Sequence, residues 1–172
     1  MKLIKIDEFL IKKTSPSFII AEIGINHNGS YEKAKKLVRL SKENGADAVK
    51  FQLRNLKEIY PDLENKKSYD LSTQYTTDLL VKYDLGYNKL KKLFDYAKSL
   101  NIVPICTPWD LTSLKQIVKY NISAIKISSP DLTNLPLLSE ASNSGIPVIV
   151  STGMSTFEEI NQSIKILKKG KS

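Results

Sequence analysis

The sequence contains a single cysteine and a single histidine in 172 residues. Cys106 has no partner for an internal disulfide and stands in an apolar stretch, so we expect it to pack in the core of a cytoplasmic protein. His27 alone cannot form a metal site that requires two histidine ligands. No apolar run approaches the roughly 20 residues of a membrane-spanning helix, and the N-terminus lacks the apolar core of a signal peptide. These scarcities argue against a membrane partner and a disulfide scaffold.

An excess of basic residues gives the chain a net charge of +8. The lysines are scattered, with one small cluster at Lys165, Lys168, Lys169 and Lys171, and no motif combines basic with aromatic residues. This pattern is typical of solvated helix faces rather than of nucleic-acid binding, and it also suits an anionic small molecule. A hydrophobic content of 41% in 172 residues is enough for one globular domain with its own core.

A strand, a turn and a helix recur along the chain. The first strand-like stretch begins at Phe18, and four more occupy residues 46–53, 101–108, 122–129 and 146–153. Helical patterns occupy residues 31–44, 87–100, 111–119, 134–144 and 156–169. Alternating strands and helices predict an α/β protein with a parallel sheet. The units form either part of a barrel, which closes with about eight strands, or an open doubly wound sheet, although no GxGxxG loop follows the first strand.

Two further segments have predicted roles of their own. Residues 1–17, with apolar residues at roughly alternate positions, predict a small strand or hairpin that covers one end of a barrel. Residues 54–86 form the one long connection, with a polar middle from Glu64 to Ser68. Connections of this length are often lids or binding loops, or are simply disordered.

Polar residues stand late in each predicted strand or directly after it. They are Glu22, Lys50, Gln52, Thr107, Lys126 and Ser151. Ligands of parallel α/β proteins bind at the carboxyl ends of the strands, so these side chains predict a binding site. Two lysines in one cavity predict a site for phosphate or carboxylate, while a lysine whose pKa is lowered by burial can instead form a Schiff base. Glu22 lies within an apolar strand, where a buried charge needs a partner or a function.

Turn residues between the elements allow more than one interpretation. Asn26 can orient a sugar hydroxyl or brace its own turn, and we expect His27 to be a hydrogen-bonding structural residue. Asp131 can act as a base or cap the following helix, and Ser129 stands in the same turn. Ser151-Thr152-Gly153 can hold phosphate at a helix N-terminus.

The motifs in which these residues stand resemble those of the sialic acid synthase (NeuB-like) family of N-acetylneuraminate, legionaminate and pseudaminate synthases. The matching motifs are Ala21-Glu-Ile-Gly-Ile-Asn-His-Asn-Gly29, Ala48-Val-Lys-Phe-Gln52, Lys126-Ile-Ser-Ser-Pro-Asp-Leu-Thr-Asn-Leu-Pro-Leu-Leu138 and Ser151-Thr-Gly-Met154, in matching order over about residues 15–172. The resemblance implies a (β/α)8 TIM barrel, of which residues 1–172 are expected to be the N-terminal portion, with about five βα units. It also implies an enzyme of cell-surface polysaccharide synthesis. In the reaction that the resemblance implies, phosphoenolpyruvate condenses with an N-acetylated hexose, N-acetylmannosamine or a diacetamido-hexose, to give a nine-carbon 2-keto sugar acid and phosphate.

Roles for individual residues follow from the resemblance. Glu22 matches a carboxylate that contacts the sugar, and Asp131 matches an acidic residue with a proposed part in proton transfer. The positions that match phosphoenolpyruvate contacts are Lys50, Thr107, Lys126, Ser129 and Ser151. Gln52 matches a polar position of the same site, and Asn26 is assigned to substrate binding with it.

The resemblance also predicts what this chain does not supply. The divalent metal of the family, manganese or magnesium, is bound by two histidines on later strands, which we expect to be missing here together with the antifreeze-like domain. The isolated chain is therefore expected to be incomplete as an enzyme and to need a C-terminal half or a homodimer partner. The alternatives are a non-catalytic half-barrel that binds phosphate or a partner, and an unrelated Schiff-base aldolase.

Overall fold

The structure, a computed structural model, describes residues 3–61 and 70–170. The predicted polar middle of the long connection, Glu64 to Ser68, lies outside the described residues. The strands are β1 (Ile4–Ile6), β2 (Phe9–Ile11), β3 (Ile20–Gly24), β4 (Ala48–Leu53), β5 (Val103–Pro108), β6 (Ala124–Ile127) and β7 (Val148–Val150). The α-helices are α1 (Tyr31–Glu43), α2 (Leu56–Ile59), α3 (Leu71–Tyr83), α4 (Gly86–Ser99), α5 (Leu111–Tyr120), α6 (Leu135–Asn143) and α7 (Phe157–Leu167). A 3-10 helix, Pro130–Thr133, precedes α6.

Strands β3 to β7 form a five-stranded parallel sheet in the order of the sequence. A doubly wound sheet instead reverses its strand order at a switch point. The sequential order confirms the prediction of a (β/α) barrel-type sheet built from five βα units. All five predicted helical stretches are present, within about two residues of their expected bounds.

The two faces of the sheet have different cores. Side chains such as Phe51, Cys106 and Ile125 belong to the large apolar core that also contains buried residues of α1, α4, α5 and α6. Cys106 is fully buried there, as predicted. Because side chains alternate along a strand, the intervening residues lie on the opposite face, which we call the open face.

The N-terminal hairpin covers one end of the open face. β1 and β2 pair antiparallel, and Ile6 packs in a second core with Ala48, Val103, Ile105 and Ala124. These residues lie near the amino ends of their strands. The hairpin predicted for residues 1–17 is therefore confirmed, and it leaves the carboxyl end of the open face uncovered.

Two predictions about the chain path were wrong. The first strand of the sheet begins at Ile20 rather than at Phe18. The connection 54–86 is not a loop throughout, because it contains α2 and the 13-residue helix α3, whose N-cap is Asp70. The described part of α3 buries only Thr77, so its sequence has little apolar periodicity to mark it as a helix. None of the described helices has the length and apolar character needed to traverse a bilayer.

A buried carboxylate joins the loops that follow β4 and β5. Asp110 is 6% exposed and accepts hydrogen bonds from the backbone N–H of Asn55 (2.7 Å) and of Ser113 (2.6 Å), and from the Ser113 hydroxyl (2.7 Å). It thus caps α5 and fixes the start of the β4–α2 connection at the same time. The relative position of these two loops depends on this side chain.

We expect Asp110→Ala to lower the free energy of unfolding by about 2–4 kcal/mol, because it removes a cap and leaves buried N–H donors without an acceptor. Urea unfolding followed by circular dichroism measures the loss. Asp70→Ala is the matched control, since Asp70 caps α3 in an exposed position. Equal losses in the two variants would show that Asp110 does no more than cap its helix.

Candidate functional site

The polar residues predicted from the strands lie together at the carboxyl end of the open face. Register pairs Glu22 with Lys50 and Gln52 with Thr107 on neighbouring strands. Lys126 follows on β6, and Ser151 directly follows β7. The apolar residues Ala48, Val103, Ile105 and Ala124 form the other end of the same face, under the hairpin. The alternation along each strand therefore produces one polar layer above one apolar layer.

Lys50 is the most deeply buried cation of this layer. The residue is 6% exposed, and its Nζ lies 2.7 Å from Oε2 of Glu22 on the adjacent strand. The Glu22 side chain itself is 57% exposed, so its expected burial within an apolar strand was wrong. β3 is an edge strand of the described sheet, and Glu22 extends from it across the open face. The partner that the sequence required is nevertheless present, because Lys50 supplies it.

Lys126 shares its electrostatic environment with Lys50. Its Nζ donates hydrogen bonds to Oγ of Ser151 (2.5 Å) and to the carbonyl of Ile127 (2.8 Å). Burial lowers the pKa of Lys126, the positive charge of Lys50 lowers it further, and Glu22 opposes both effects. Two ammonium groups that repel each other in one site favour the binding of an anion between them.

Thr107 adds a hydroxyl group that has no protein partner. The residue is 1% exposed, and its Oγ1 is buried without a hydrogen bond in the described part of the chain. Buried hydroxyl groups are normally satisfied, so this exception requires an explanation, such as a water molecule or a bound ligand. Neighbouring Gln52 already accepts a hydrogen bond on Oε1 from Nη2 of Arg54 (2.6 Å).

The predicted residues in turns are placed less directly. Asp131 accepts a short hydrogen bond from the Ser128 hydroxyl. The hypothesis that Asp131 caps the next helix was wrong, because Asn134 caps α6 with its own side chain. Ser129 lies against the turn after β7, since a Cβ on Gly153 would lie 3.6 Å from its Oγ. Asn26 is exposed in the turn after β3, and no hydrogen bond among the described residues joins it to either lysine.

Two residues beside the site were not identified from the sequence. Arg54 follows Gln52 by two positions and places its Cζ 4.3 Å from the ring centroid of Trp109. The i, i+2 spacing from Gln52 and the position of the single tryptophan directly after β5 were the available signals. Neither was enough, because the contact between them joins two different strand ends.

His27 has the structural role that was expected of it. The side chain is 3% exposed, its Nδ1 accepts a hydrogen bond from the backbone N–H of Gly29 (3.1 Å), and its ring stacks on Phe51 at 6.3 Å. Gly29 has a positive φ, and a Cβ there would approach the carbonyl of Lys82 to 2.5 Å, so the turn and α3 meet closely. Burial lowers the pKa of His27, which favours the neutral ring.

A divalent metal does not fit the residues described. Within 3–61 and 70–170, no group of three histidine, cysteine, aspartate or glutamate side chains is arranged to hold a metal ion. The carboxylate of Glu22 is already paired with Lys50. The chemistry that these residues can supply is anion binding, hydrogen bonding to a polar ligand, and proton transfer by carboxylates.

A barrel-type α/β sheet with two lysines and two hydroxyl groups at its carboxyl end is characteristic of enzymes that bind small phosphorylated or carboxylated substrates. The model of the NeuB family matches residues 37–172. This chain belongs to the NeuB family.

Similar proteins agree with this assignment. An uncharacterised protein of Methanocaldococcus jannaschii is 40% identical over 98% of this chain and 47% of its own length. The N,N'-diacetyllegionaminic acid synthase of Campylobacter jejuni is 36% identical over 92% of this chain and 48% of its own length. The crystal structure of N-acetylneuraminic acid (sialic acid) synthetase from Leptospira borgpetersenii, in complex with citrate, superimposes with a TM-score of 0.87 at 31% identity, over 99% of this chain and 56% of that one. The chain thus spans about half the length of the curated relatives it matches.

We expect Lys50→Met to raise the pKa of Lys126, because the substitution removes a like charge and releases Glu22 from its ion pair. NMR titration of carbon-13-labelled lysine, with Lys126 assigned by substitution, measures the change. Lys50→Arg keeps the charge and is the matched control. If both variants shift the pKa of Lys126 equally, the two ammonium groups do not share a site.

The lowered pKa of His27 predicts a pH dependence of stability. The unfolded chain binds a proton at about pH 6.5, whereas the folded chain binds it only at lower pH, so acid favours unfolding. The contribution of His27 is complete above about pH 6.5 and is lost as the pH falls below it. Urea unfolding at about pH 7.5 and pH 5.5 measures this loss, and we expect His27→Gln to reduce it. An unchanged pH dependence in that variant would assign the effect to other groups.

Proposed function

We propose that this chain binds phosphoenolpyruvate and supplies the first five βα units of a barrel that condenses it with an N-acetylated hexose. The observation that carries the proposal is the pair of lysines, Lys50 and Lys126, beside the unpartnered hydroxyl of Thr107. Membership of the NeuB family and the names of its relatives support the substrate class. The products are a nine-carbon 2-keto sugar acid and inorganic phosphate.

The anionic groups of phosphoenolpyruvate match the charges at the site. Lys50 and Lys126 neutralise its phosphate and carboxylate, and Ser151, Thr107 and Ser129 add hydroxyl groups around them. Hydrogen bonds from a charged donor to an anionic oxygen are about twice as strong as neutral ones. Bound phosphate or carboxylate also reduces the repulsion between the two ammonium groups, so the charge of the proposed ligand matches the electrostatics of the site.

The remaining polar residues are assigned to the sugar. C3 of phosphoenolpyruvate forms a bond to the aldehyde carbon, water adds at C2, and the C2–O bond to phosphate breaks. Of the two protons that the water loses, one goes to the aldehyde oxygen and one to the released phosphate. Glu22 holds the sugar near the reacting carbon, with Gln52 and Asn26 as further polar contacts. We assign proton transfer to the carboxylate of Asp131, which accepts a hydrogen bond from Ser128. The metal of the family, manganese or magnesium, takes its ligands from outside the described residues.

The rest of the barrel is also part of the proposal. β3 and β7 each pair on one side only in the described sheet, so each has an edge that further strands can complete. We propose that residues 1–172 are the N-terminal portion of a synthase barrel, completed by a C-terminal half or assembled with a homodimer partner. The cytoplasmic location, suggested by the lone cysteine, stays a prediction.

Calorimetric titration of the chain with phosphoenolpyruvate tests the binding step. We expect Lys126→Met to weaken binding about 10- to 150-fold, the equivalent of one charge-assisted hydrogen bond of about 1.5–3 kcal/mol. Lys165→Met, which removes an exposed lysine of α7, is the matched control and leaves binding unchanged. Equal affinities in the two variants would refute the anion site.

Phosphate release tests the reaction. The assay contains phosphoenolpyruvate, manganese, and N-acetylmannosamine or a diacetamido-hexose. The chain is assayed alone and fused to the complementary part of the Campylobacter jejuni synthase. We expect release only from the fusion, and its loss in Glu22→Gln. Phosphoenolpyruvate binding without release by a folded fusion would instead identify a non-catalytic half-barrel.

The lowered pKa of Lys126 also suits a Schiff-base aldolase. Borohydride reduction in the presence of pyruvate distinguishes that function, because it would attach the keto acid to Lys126 or Lys50. Mass spectrometry of the treated chain detects the adduct. We expect no adduct, since the ammonium group of Lys126 already donates hydrogen bonds to Ser151 and to the backbone carbonyl of Ile127.

A further inference from the structure

We propose that Arg54, stacked on Trp109, is a positioning residue that fixes the side-chain amide of Gln52. The NH2 group of the Gln52 amide then faces the end of β3, where it donates a hydrogen bond to an oxygen of the acceptor sugar. The inference rests on the proposed function for the identity of the ligand. The arrangement of the three side chains is independent of that function and can be tested without it.

The orientation of the Gln52 amide follows from the chemistry of its neighbour. Nη2 of Arg54 lies 2.6 Å from the amide, and a guanidinium group has donors only. The atom that faces Arg54 must therefore be the carbonyl oxygen, Oε1. The NH2 group points the other way, and Nε2 lies 3.5 Å from the position that a Cβ on Gly24 would occupy. Gly24, the last residue of β3, leaves room for it.

Arg54 is held in place by its stack on Trp109, and the loops that carry the two residues are joined by hydrogen bonds. Its guanidinium lies over the indole of Trp109, with 4.3 Å between Cζ and the ring centroid, which is a favourable cation–π geometry. The backbone N–H of Trp109 donates to the carbonyl of Leu53 at 3.1 Å. The next residues along each loop are joined as well, because Asn55 donates to Asp110. Hydrogen bonds thus flank the stack and fix the two loops to each other.

Arg54 stays charged, because a guanidinium group titrates far above neutral pH. Burial lowers its pKa, and the charges of Asp84 and Asp131 oppose that effect. A planar guanidinium can stack on an aromatic face and donate along its edge at the same time, whereas a lysine ammonium cannot do both. The residue type at position 54 therefore matters beyond its charge.

The result is a donor next to an acceptor at the end of β3. Gln52 supplies N–H groups, and Glu22 supplies a carboxylate that is exposed on the same face. A hydroxyl group can donate to one and accept from the other, and an N-acyl carbonyl can accept from Gln52 alone. This pairing suits the polyhydroxylated, N-acylated acceptor of the proposed reaction.

The decisive measurement is a nuclear Overhauser contact in the chain without ligand. Wild type is expected to show a contact between the Gln52 side-chain NH2 and an α-proton of Gly24, with Gln52 assigned through Gln52→Glu. Arg54→Met is expected to abolish it, Arg54→Lys to weaken it, and Trp109→Phe, which keeps an aromatic face, to retain it. The backbone amide spectrum controls for folding. Absence of the contact in wild type, or its persistence in Arg54→Met, would overturn the proposal.

A binding measurement connects the arrangement to the sugar. N-acetylmannosamine is titrated into the chain saturated with phosphoenolpyruvate. Arg54→Met is expected to weaken sugar binding about 2- to 12-fold, as for the loss of one hydrogen bond, and to leave phosphoenolpyruvate binding within about twofold. Equal weakening of both ligands would assign Arg54 a general charge effect and overturn its positioning role. If wild type binds neither ligand, the proposed function fails, and the Overhauser contact still decides whether Arg54 orients Gln52.

Discussion

The ion pair between Lys50 and Glu22 is the interaction on which the site depends. A buried ammonium group costs several kcal/mol unless a carboxylate or hydrogen-bond acceptors compensate it, and Lys50 is 6% exposed. Its partner comes from the neighbouring strand at the same register, so the sheet itself fixes the pair. One carboxylate near two lysines leaves the site with an excess of positive charge. Burial lowers the pKa of Lys126 most, and the charge of Lys50 lowers it further. An anionic ligand supplies the negative charge that balances the two lysines.

The same alternation that builds the site also stabilises the fold. Odd and even residues of β4 face different cores, so a register shift by one residue would move Lys50 into the helix-facing core and Phe51 onto the open face. The hairpin β1–β2 covers only the apolar end of the open face. Stability and ligand binding are thus separated along each strand, with apolar residues near the amino end and polar residues near the carboxyl end.

Much of this arrangement was predictable because it depends on local patterns. Apolar strand stretches, the alternation around Lys50 and Lys126, and the apolar residues of 1–17 are all readable without tertiary structure. Three features were not. Helix α3 buries little among its described residues, so its periodicity is weak. The exposure of Glu22 depends on its strand lying at a sheet edge. Arg54 and Trp109 meet because β4 and β5 pair through Leu53 and Pro108, the residues that precede them, and this pairing is a tertiary contact.

The exposure of Glu22 separates what this chain can do alone from what the proposed reaction needs. With 57% of its side chain exposed, Glu22 acts on the two lysines partly through water, which weakens charge interactions. Strands that paired with the free edge of β3 would bury that carboxylate, strengthen its pair with Lys50, and exclude water from the reacting carbon. The proposed anion binding depends on the lysines and hydroxyl groups of the described strands. In the proposed reaction, exclusion of water depends on closure of the sheet around Glu22, so anion binding and the reaction have different structural requirements.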